Sequence, residues 1–128
     1  MTNSFKKRIL VTGGSGFIGT HVVEELVKNY ADYLVVNYDL LTYAGHEENN
    51  EEWSKWPNYQ FIQGDIRDIE SLQGVFSTYQ ITDVIHLAAE SHVDRSIENP
   101  LDFVTTNIVG TVNLLNVSKQ KWGENANR

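Results

Sequence analysis

Short apolar runs alternate along the chain with longer segments in which apolar residues recur at helical spacing. The short runs are typical of buried parallel strands, and the longer segments predict helices. Strands that alternate with helices predict a parallel sheet joined by right-handed crossovers. We therefore expect an α/β fold with a doubly wound parallel sheet, in the strand order 3-2-1-4 with which many such sheets begin. The predicted strands are Ile9–Val11, Tyr33–Asp39, Tyr59–Gln63 and Thr82–Leu87.

Helical periodicity locates the first two helices. The first is predicted from Gly16 to Asn29. The apolar residues expected on its buried stripe are Ile18, Val22, Val23, Leu26 and Val27. The second helix is expected to begin after Asp68, because a carboxylate at this position can accept hydrogen bonds from the first free amides. The residues expected on its buried face are Ile69, Leu72, Val75 and Phe76.

A last helix is predicted from Pro100, which suits a first helical turn, to Trp122, with Gly123 as its stop. At about 100° per residue, its apolar residues cover more than one face. A helix that is apolar over so wide an arc requires cover on more than one side. The face suited to internal packing contains Phe103, Asn107, Gly110, Leu114 and Val117. The neighbouring arc contains Val104, Ile108, Val112 and Leu115, with Val109 beyond it.

Between the second and third strands lies a polar stretch, residues 40–57, which we expect to be a loop. A helical turn is predicted in it around Glu51–Trp56. Trp53 and Trp56 are expected to cover the edge of the fold rather than to stack on a ligand.

A glycine-rich turn, VTGGSGFIG, follows the first strand and leads into the first helix. Gly13 is expected to make the turn, Gly16 to let a diphosphate approach the backbone, and Gly19 to let the helix close on the strand. The free amides of the helix N-terminus, together with the helix dipole, favour an anion there. A tight strand-to-helix connection without a ligand is the alternative interpretation.

Asp39 ends the second predicted strand, about twenty positions after Gly19. A dinucleotide-binding fold places there the carboxylate that accepts hydrogen bonds from the adenosine ribose. The alternative is a solvated aspartate at a strand end. The order of strand, turn, helix and Asp39 favours a Rossmann-type fold. No arginine follows Asp39 to receive a 2′-phosphate, so NAD is favoured over NADP.

Length and charge narrow the classes of function. A chain of 128 residues has room for one domain, and its net charge of −7 argues against a nucleic-acid partner. Without cysteine, and with isolated histidines, neither a disulfide nor a metal site is expected. We expect no signal peptide and no membrane span, and therefore a cytoplasmic protein. The chain stops after a crossover helix, so the sheet is expected to be truncated after its fourth strand and the following helix.

Five segments carry a resemblance to known proteins: VTGGSGFIG (Val11–Gly19), YDLLTYAG (Tyr38–Gly45), GDIRD (Gly64–Asp68), HLAAESHVDRSIENP (His86–Pro100) and TNIVGT (Thr106–Thr111). On these segments the chain resembles the extended short-chain dehydrogenase/reductases and, among them, the dTDP-glucose 4,6-dehydratases. The resemblance implies NAD as cofactor and the nucleotide sugar dTDP-glucose as substrate. It also implies that residues 1–128 are the N-terminal part of an NAD-binding Rossmann domain, without the substrate-binding domain.

The resemblance also assigns roles to individual residues. It implies that Phe17 and Ile18 lie under the pyrophosphate and that Asp39 holds the adenosine ribose. The residues implied to line that ribose are Leu40, Leu41 and Thr42, although a lysine is common where this chain has Leu40. Asp65 and Ile66 are implied to bracket the adenine.

Further implied contacts follow the fourth strand. The residues implied to run along the dinucleotide are Leu87, Ala88, Ala89, Glu90 and Ser91. Ser91 is also implied to lie near the sugar substrate, and Thr106 to reach the cofactor from the last helix. For Asn107, a role in ordering backbone and water beside the active site and a purely structural role both stay open.

The family's reaction moves a hydride from C4 of the glucose to NAD, eliminates water across C5 and C6, and returns the hydride to C6. It requires a Tyr-x-x-x-Lys pair and the acid/base groups of a Thr-Asp-Glu motif. This chain contains neither motif, so we expect no catalytic residue in it. The family's dimer interface implies a homodimer through helix 100–122. A sister dehydratase or nucleotide-sugar epimerase and a non-catalytic dinucleotide sensor are the alternatives.

Overall fold

A four-stranded parallel sheet, in the order β3-β2-β1-β4, is the centre of the part of the chain that the structure describes. The computed structural model describes residues 5–40, 51–87, 101 and 105–123. The strands are β1 (Lys7–Thr12), β2 (Tyr33–Asp39), β3 (Tyr59–Gln63) and β4 (Asp83–His86). The helices are α1 (Phe17–Asn29), α2 (Ile69–Tyr79) and α3 (Gly110–Trp122), the last preceded by a π-helical segment, Thr105–Val109.

The strands pair in parallel, as predicted. Ile9 of β1 is paired with Val35 of β2 and with Asp83 of β4, and Val35 is paired with Tyr59 of β3. Two strands, β2 and β3, have the predicted boundaries, because each apolar run ends at polar turn residues. The predicted Rossmann-type α/β fold and its strand order are therefore confirmed.

Two compact units divide the chain. The first contains Met1–Gly64 and Tyr79–Ala88, and the second contains Asp65–Thr78 and Ala89–Arg128. The whole sheet and α1 belong to the first unit. The second contains most of α2, the π-helical segment and α3.

The first unit has a core formed by strand residues and by one stripe of α1. Val23 and Val27 of α1 are fully buried in a cluster with Val11 and Val35 of the sheet. The predicted stripe was wrong at one end, because the Ile18 side chain is 65% exposed. Ile18 lies in the first turn of α1, and the buried residue of that turn is Gly19.

Trp53 belongs to this core rather than to an edge. It is 1% exposed and its ring meets that of Tyr59 edge-on at 5.6 Å. Trp56 is 36% exposed, so it fits the expected edge position better. Residues 51–53 form a helical turn, as predicted. The residues just before them, 41–50, lie outside the described part of the chain.

Asn58 joins the end of α1 to the start of β2. Its side chain is 2% exposed, and its amide nitrogen donates to the carbonyl oxygens of Val27, Tyr30 and Tyr33 at 3.1–3.2 Å. Carbonyls at a helix C-terminus have no partner within the helix, so a buried donor there satisfies them. The Asn58 side chain thereby fixes the turn that leads into β2.

In the second unit, α2 and α3 contact each other through polar and aromatic pairs. The Lys121 amine donates to the Ser77 hydroxyl at 2.8 Å, and the rings of Phe76 and Trp122 are 5.9 Å apart. Asp68 caps α2 as predicted, since its Oδ1 accepts from the Ser71 amide at 3.2 Å. Three of the four predicted buried residues of α2 are buried, whereas Ile69, in the first turn, is 38% exposed.

The last helix differs from its prediction in one respect. Thr105–Val109 form a π-helical segment, a rare geometry that helical periodicity alone does not reveal. The helix ends at Trp122 as predicted, with Gly123 as its C-cap in right-handed helical angles (φ −58°, ψ −35°). Gly110, Leu114 and Val117 are buried, which confirms the packing face over this part of the helix. No helix among the described residues has the length and apolar character needed to span a membrane.

Candidate functional site

The turn between β1 and α1 begins at Gly13, which has a φ of 74°. A side chain disfavours this conformation, so glycine is required here. The Gly13 amide donates to the Tyr38 carbonyl at 2.9 Å, and the Gly16 amide donates to the Gly13 carbonyl at 3.1 Å. The predicted turn-forming role of Gly13 is therefore confirmed.

Gly19 is the position where α1 approaches the turn most closely. A Cβ added there would overlap the carbonyl oxygen of Gly13 and come within 2.8 Å of the Gly14 Cα. The expected close approach at Gly19 is thus confirmed. Gly16 is the N-cap residue of α1, in an extended conformation, and within the described residues no side chain caps this end by a hydrogen bond. The first amides of α1 are therefore left for solvent or a ligand.

Phe17 and Ile18, which the resemblance places under the pyrophosphate, are the first two residues of α1. Their side chains are 79% and 65% exposed. The Phe17 ring meets the His21 ring edge-on at 5.8 Å. Two large apolar side chains thus lie exposed beside the free end of the helix.

Asp39 is attached to the glycine turn by its carboxylate. It is 3% exposed at the end of β2, and its Oδ2 accepts from the Ser15 amide at 2.9 Å. Its carbonyl accepts from the Gly64 amide at 3.1 Å. The alternative of a solvated aspartate is therefore wrong. A carboxylate offers about four acceptor sites, so the bond to Ser15 is compatible with a second hydrogen bond. Leu40, the next residue, is 38% exposed.

A buried polar network beneath the turn was not predicted from the sequence. The Asn37 amide nitrogen, in β2, donates to the Ser15 hydroxyl at 3.1 Å and to the Tyr59 hydroxyl at 3.0 Å. Asn37 and Ser15 are fully buried. A Cβ at Gly14 would overlap the Asn37 side chain. The one available signal was a lone asparagine inside the otherwise apolar run that forms β2.

Tyr59 is protonated throughout the physiological range. Burial raises the pKa of its phenol to about 12, the hydrogen bond from Asn37 opposes that rise, and the nearby Asp39 charge adds to it. A neutral phenol can accept the Asn37 N–H while keeping its own proton. The network around Asn37 is therefore insensitive to pH changes near neutrality.

His86 ends β4 beside the end of β1. Its Nδ1 shares a hydrogen bond of 2.6 Å with the Thr12 hydroxyl, and the Leu87 amide donates to the Thr12 carbonyl at 2.9 Å. Burial lowers the pKa of His86, which favours the neutral ring. Leu87, an implied dinucleotide contact, is thus placed by Thr12. Within the described ranges, histidine and acidic side chains nowhere converge as a metal site.

The loop before α2, in the second unit, contains Asp65 and Ile66. Arg67 donates to the Asp65 carboxylate from Nη2 at 2.7 Å and from Nε, and this hydrogen bonding lowers the pKa of Asp65. Ile66 is 4% exposed, and its carbonyl accepts from the side-chain amide of Asn113 in α3 at 3.1 Å. A Cβ at Gly110 would overlap the Ile66 side chain. A base contact by Ile66 would therefore come from its backbone.

Several implied site residues lie outside the described part of the chain: Leu41, Thr42, Ala88, Ala89, Glu90 and Ser91. Thr106 belongs to the π-helical segment, but its side chain is also outside the description. The Asn107 carbonyl accepts from the Thr111 hydroxyl at 2.7 Å. The roles of these residues stay predictions.

The sequence model of the family described as GDP-mannose 4,6 dehydratase matches residues 10–128. The chain belongs to this family. The chain is 52% identical over 116 residues to the dTDP-glucose 4,6-dehydratase of Neisseria meningitidis. The aligned region covers 91% of this chain and 32% of that protein. It is 45% identical over 115 residues to the dTDP-D-glucose 4,6-dehydratase of Mus musculus, covering 90% and 32%.

Solved structures of two enzymes are similar in fold to this chain. A dTDP-glucose 4,6-dehydratase of Streptomyces venezuelae, solved with NAD bound, has a TM-score of 0.80 and 41% identity, covering 89% of this chain and 36% of that one. The UDP-glucose 4-epimerase of Thermotoga maritima, solved with UDP-glucose, has a TM-score of 0.77 and 38% identity, covering 89% and 34%. The chain therefore spans about a third of the length of its relatives.

Proposed function

We propose that this chain is the NAD-binding part of a dTDP-glucose 4,6-dehydratase, an N-terminal piece of its Rossmann domain. The observation that carries the proposal is the buried Asp39 carboxylate, held by the Ser15 amide at the glycine turn. Sequence relatives at about half identity that are dTDP-glucose 4,6-dehydratases support the substrate, dTDP-glucose. When bound, NAD supplies the acceptor for a hydride.

The first unit fits the adenosine diphosphate half of NAD. The turn at Gly13 and the contact at Gly19 bring the backbone close to the N-terminus of α1, where amides and helix dipole favour a diphosphate. Asp39 accepts hydrogen bonds from the ribose hydroxyls and repels a 2′-phosphate. The chain therefore binds NAD in preference to NADP. Phe17 and Ile18 lie under the pyrophosphate.

The remaining implied contacts belong to the same proposal. Asp65 and the backbone of Ile66 would recognise the adenine, and the segment from Leu87 to Ser91 would follow the dinucleotide. Thr106 would reach the cofactor, and Ser91 would lie near the sugar. These assignments rest on the resemblance of GDIRD and HLAAESHVDRSIENP to the same segments of the dehydratases.

Nicotinamide should contribute little to binding, because the proposed contacts hold the adenosine diphosphate half. In calorimetric titrations we expect ADP-ribose and NAD to bind with similar affinity. A tenfold preference for NAD, about 1.4 kcal/mol, would show that the chain has a nicotinamide site. It would contradict the proposal that binding uses only the adenosine diphosphate half of NAD. Binding of neither ligand would contradict the proposed function itself.

Dehydratase turnover is not expected from this chain alone, because none of its tyrosines is followed by a lysine four positions later. Incubation with dTDP-glucose and NAD, assayed for the 4-keto sugar nucleotide, should give no product above a protein-free control. Product formation by the purified chain would show that other residues supply the acid/base chemistry.

A UDP-glucose 4-epimerase is the second candidate, since one such structure has 38% identity to this chain. The higher identity of the dehydratase relatives, 52% over nearly the whole chain, favours the dehydratase.

We also propose that two copies of the chain associate through α3 and the π-helical segment. Ile108, Val112 and Leu115 are 58%, 46% and 65% exposed on one arc, as predicted. Large apolar side chains that lie together on a surface are typical of protein interfaces. A second copy presenting the same arc would cover them, which is how the resembling family forms dimers.

Ile108→Glu should therefore weaken self-association, because a dimer would bury the new charge against apolar side chains. Sedimentation velocity over a concentration series measures the effect, with Gln60→Glu, exposed on the edge strand β3, as the matched control. We expect association in the parent chain and in the control, and a monomer in the Ile108 variant. A parent chain that stays monomeric, or equal association of all three, would exclude this helix as the interface.

A further inference from the structure

Hydrogen bonds attach the glycine turn to β2, and three of them join residues that the structure describes. One joins backbone groups, from the Gly13 amide to the Tyr38 carbonyl at 2.9 Å. The other two use both polar groups of Ser15: its amide donates to Asp39 at 2.9 Å, and its hydroxyl accepts from Asn37 at 3.1 Å. Asn37 and Asp39 are two positions apart, so their side chains leave β2 on the same face.

We propose that Asn37 and Ser15 are positioning residues for the diphosphate of the cofactor, an inference that rests on the proposed function. Asn37 donates one amide proton to Ser15 and the other to Tyr59 on β3, which holds its side chain in one orientation. Ser15, bound to that side chain, fixes the turn from which α1 begins. The first amides of α1 are thereby directed at the phosphates.

Gly14 adds a steric contact to this hydrogen-bonded network. A Cβ at Gly14 would overlap the Asn37 side chain and come within 2.9 Å of Val23 Cγ2, so the turn rests directly on Asn37. The Asn37 side chain therefore limits how closely the turn can approach the sheet. Its hydrogen bond to Ser15 prevents the turn from moving away from the sheet. Because Ser15 also holds the carboxylate, the network fixes the ribose acceptor and the diphosphate donors together.

Two variants separate positioning from simple stability. Ser15→Ala removes the hydroxyl that accepts from Asn37 but keeps the amide bond to Asp39. Ile9→Val removes one buried methyl group from the core of the sheet and leaves every member of the Asn37 network in place. Dissociation constants for ADP and for adenosine are measured by titration with each protein, and urea unfolding monitors stability.

We expect Ser15→Ala to weaken ADP binding about tenfold while adenosine binding changes less than about twofold, since only ADP requires the diphosphate donors. Ile9→Val, which lowers stability similarly through the lost core methyl group, should leave both affinities within about twofold. Equal losses of ADP affinity in the two variants, or equal losses for ADP and adenosine in Ser15→Ala, would overturn the positioning role. A parent chain that binds ADP no better than adenosine would instead contradict the proposed function.

Discussion

Replacing Gly19 with alanine should lower the free energy of unfolding by about 3 kcal/mol, near the upper end of the usual cost of an overpacked site. The added methyl group would overlap the Gly13 carbonyl oxygen, and no side-chain rotation can relieve the clash, because the backbone fixes the positions of both groups. The N-terminus of α1 would have to move away from the turn. NAD binding should therefore be lost together with stability, as measured by urea unfolding and calorimetry.

Gly74→Ala is the matched control for this prediction. Gly74 lies within α2, and a Cβ there would meet nothing within 4 Å. Alanine loses less backbone entropy than glycine on helix formation, so this variant should be more stable by about 0.5–1 kcal/mol and keep NAD affinity. Equal stability of the Gly19 and Gly74 variants would show that α1 does not depend on close contact with the turn.

Asp39→Ala should weaken NAD binding by a factor of about ten to a hundred, as expected when charged hydrogen bonds of roughly 1.5–3 kcal/mol are removed. The same variant should reduce the difference between the affinities for NAD and NADP, because it lacks the charge that repels a 2′-phosphate. The structure adds a second effect, since the variant also removes the acceptor of the Ser15 amide. Calorimetric titrations with both cofactors measure the change.

Two further variants separate the charge of Asp39 from its bond to the turn. Asp39→Asn retains an oxygen for the Ser15 amide, so it should lose less stability than Asp39→Ala while still losing discrimination against NADP. Asp32→Ala, at an exposed position, removes the same charge elsewhere and should leave both affinities unchanged. If the parent chain already binds NADP as well as NAD, the role of Asp39 in cofactor choice is wrong.

The features that the sequence predicts correctly are those that a local pattern of residues determines. The boundaries of β2 and β3 follow from apolar runs that end at polar turns, and the positive φ at Gly13 follows from the turn that a strand-to-helix connection needs. The cap at Asp68 is equally local, because the carboxylate reaches an amide three residues ahead. These features depend on neighbours in the chain, which the sequence displays directly.

The predictions are wrong where the structure depends on which face of a helix or strand contacts another part of the chain. Ile18 and Ile69 both fit a helical stripe, yet each lies in a first helical turn and is substantially exposed. The need for glycine at position 14 arises from Asn37, far along the chain, so no local spacing reveals it. The π-helical segment before α3 also leaves no mark on apolar periodicity.

The central claim is that the turn from Gly13 to Gly19 binds the diphosphate of an adenine dinucleotide. Titration of the isotope-labelled chain with ADP-ribose, followed by NMR of the backbone amides, tests it most directly. We expect the largest shifts at Ser15, Gly16, Phe17 and Ile18, with smaller ones elsewhere in the sheet. Shifts confined to other parts of the chain, or none at saturating ligand, would contradict it.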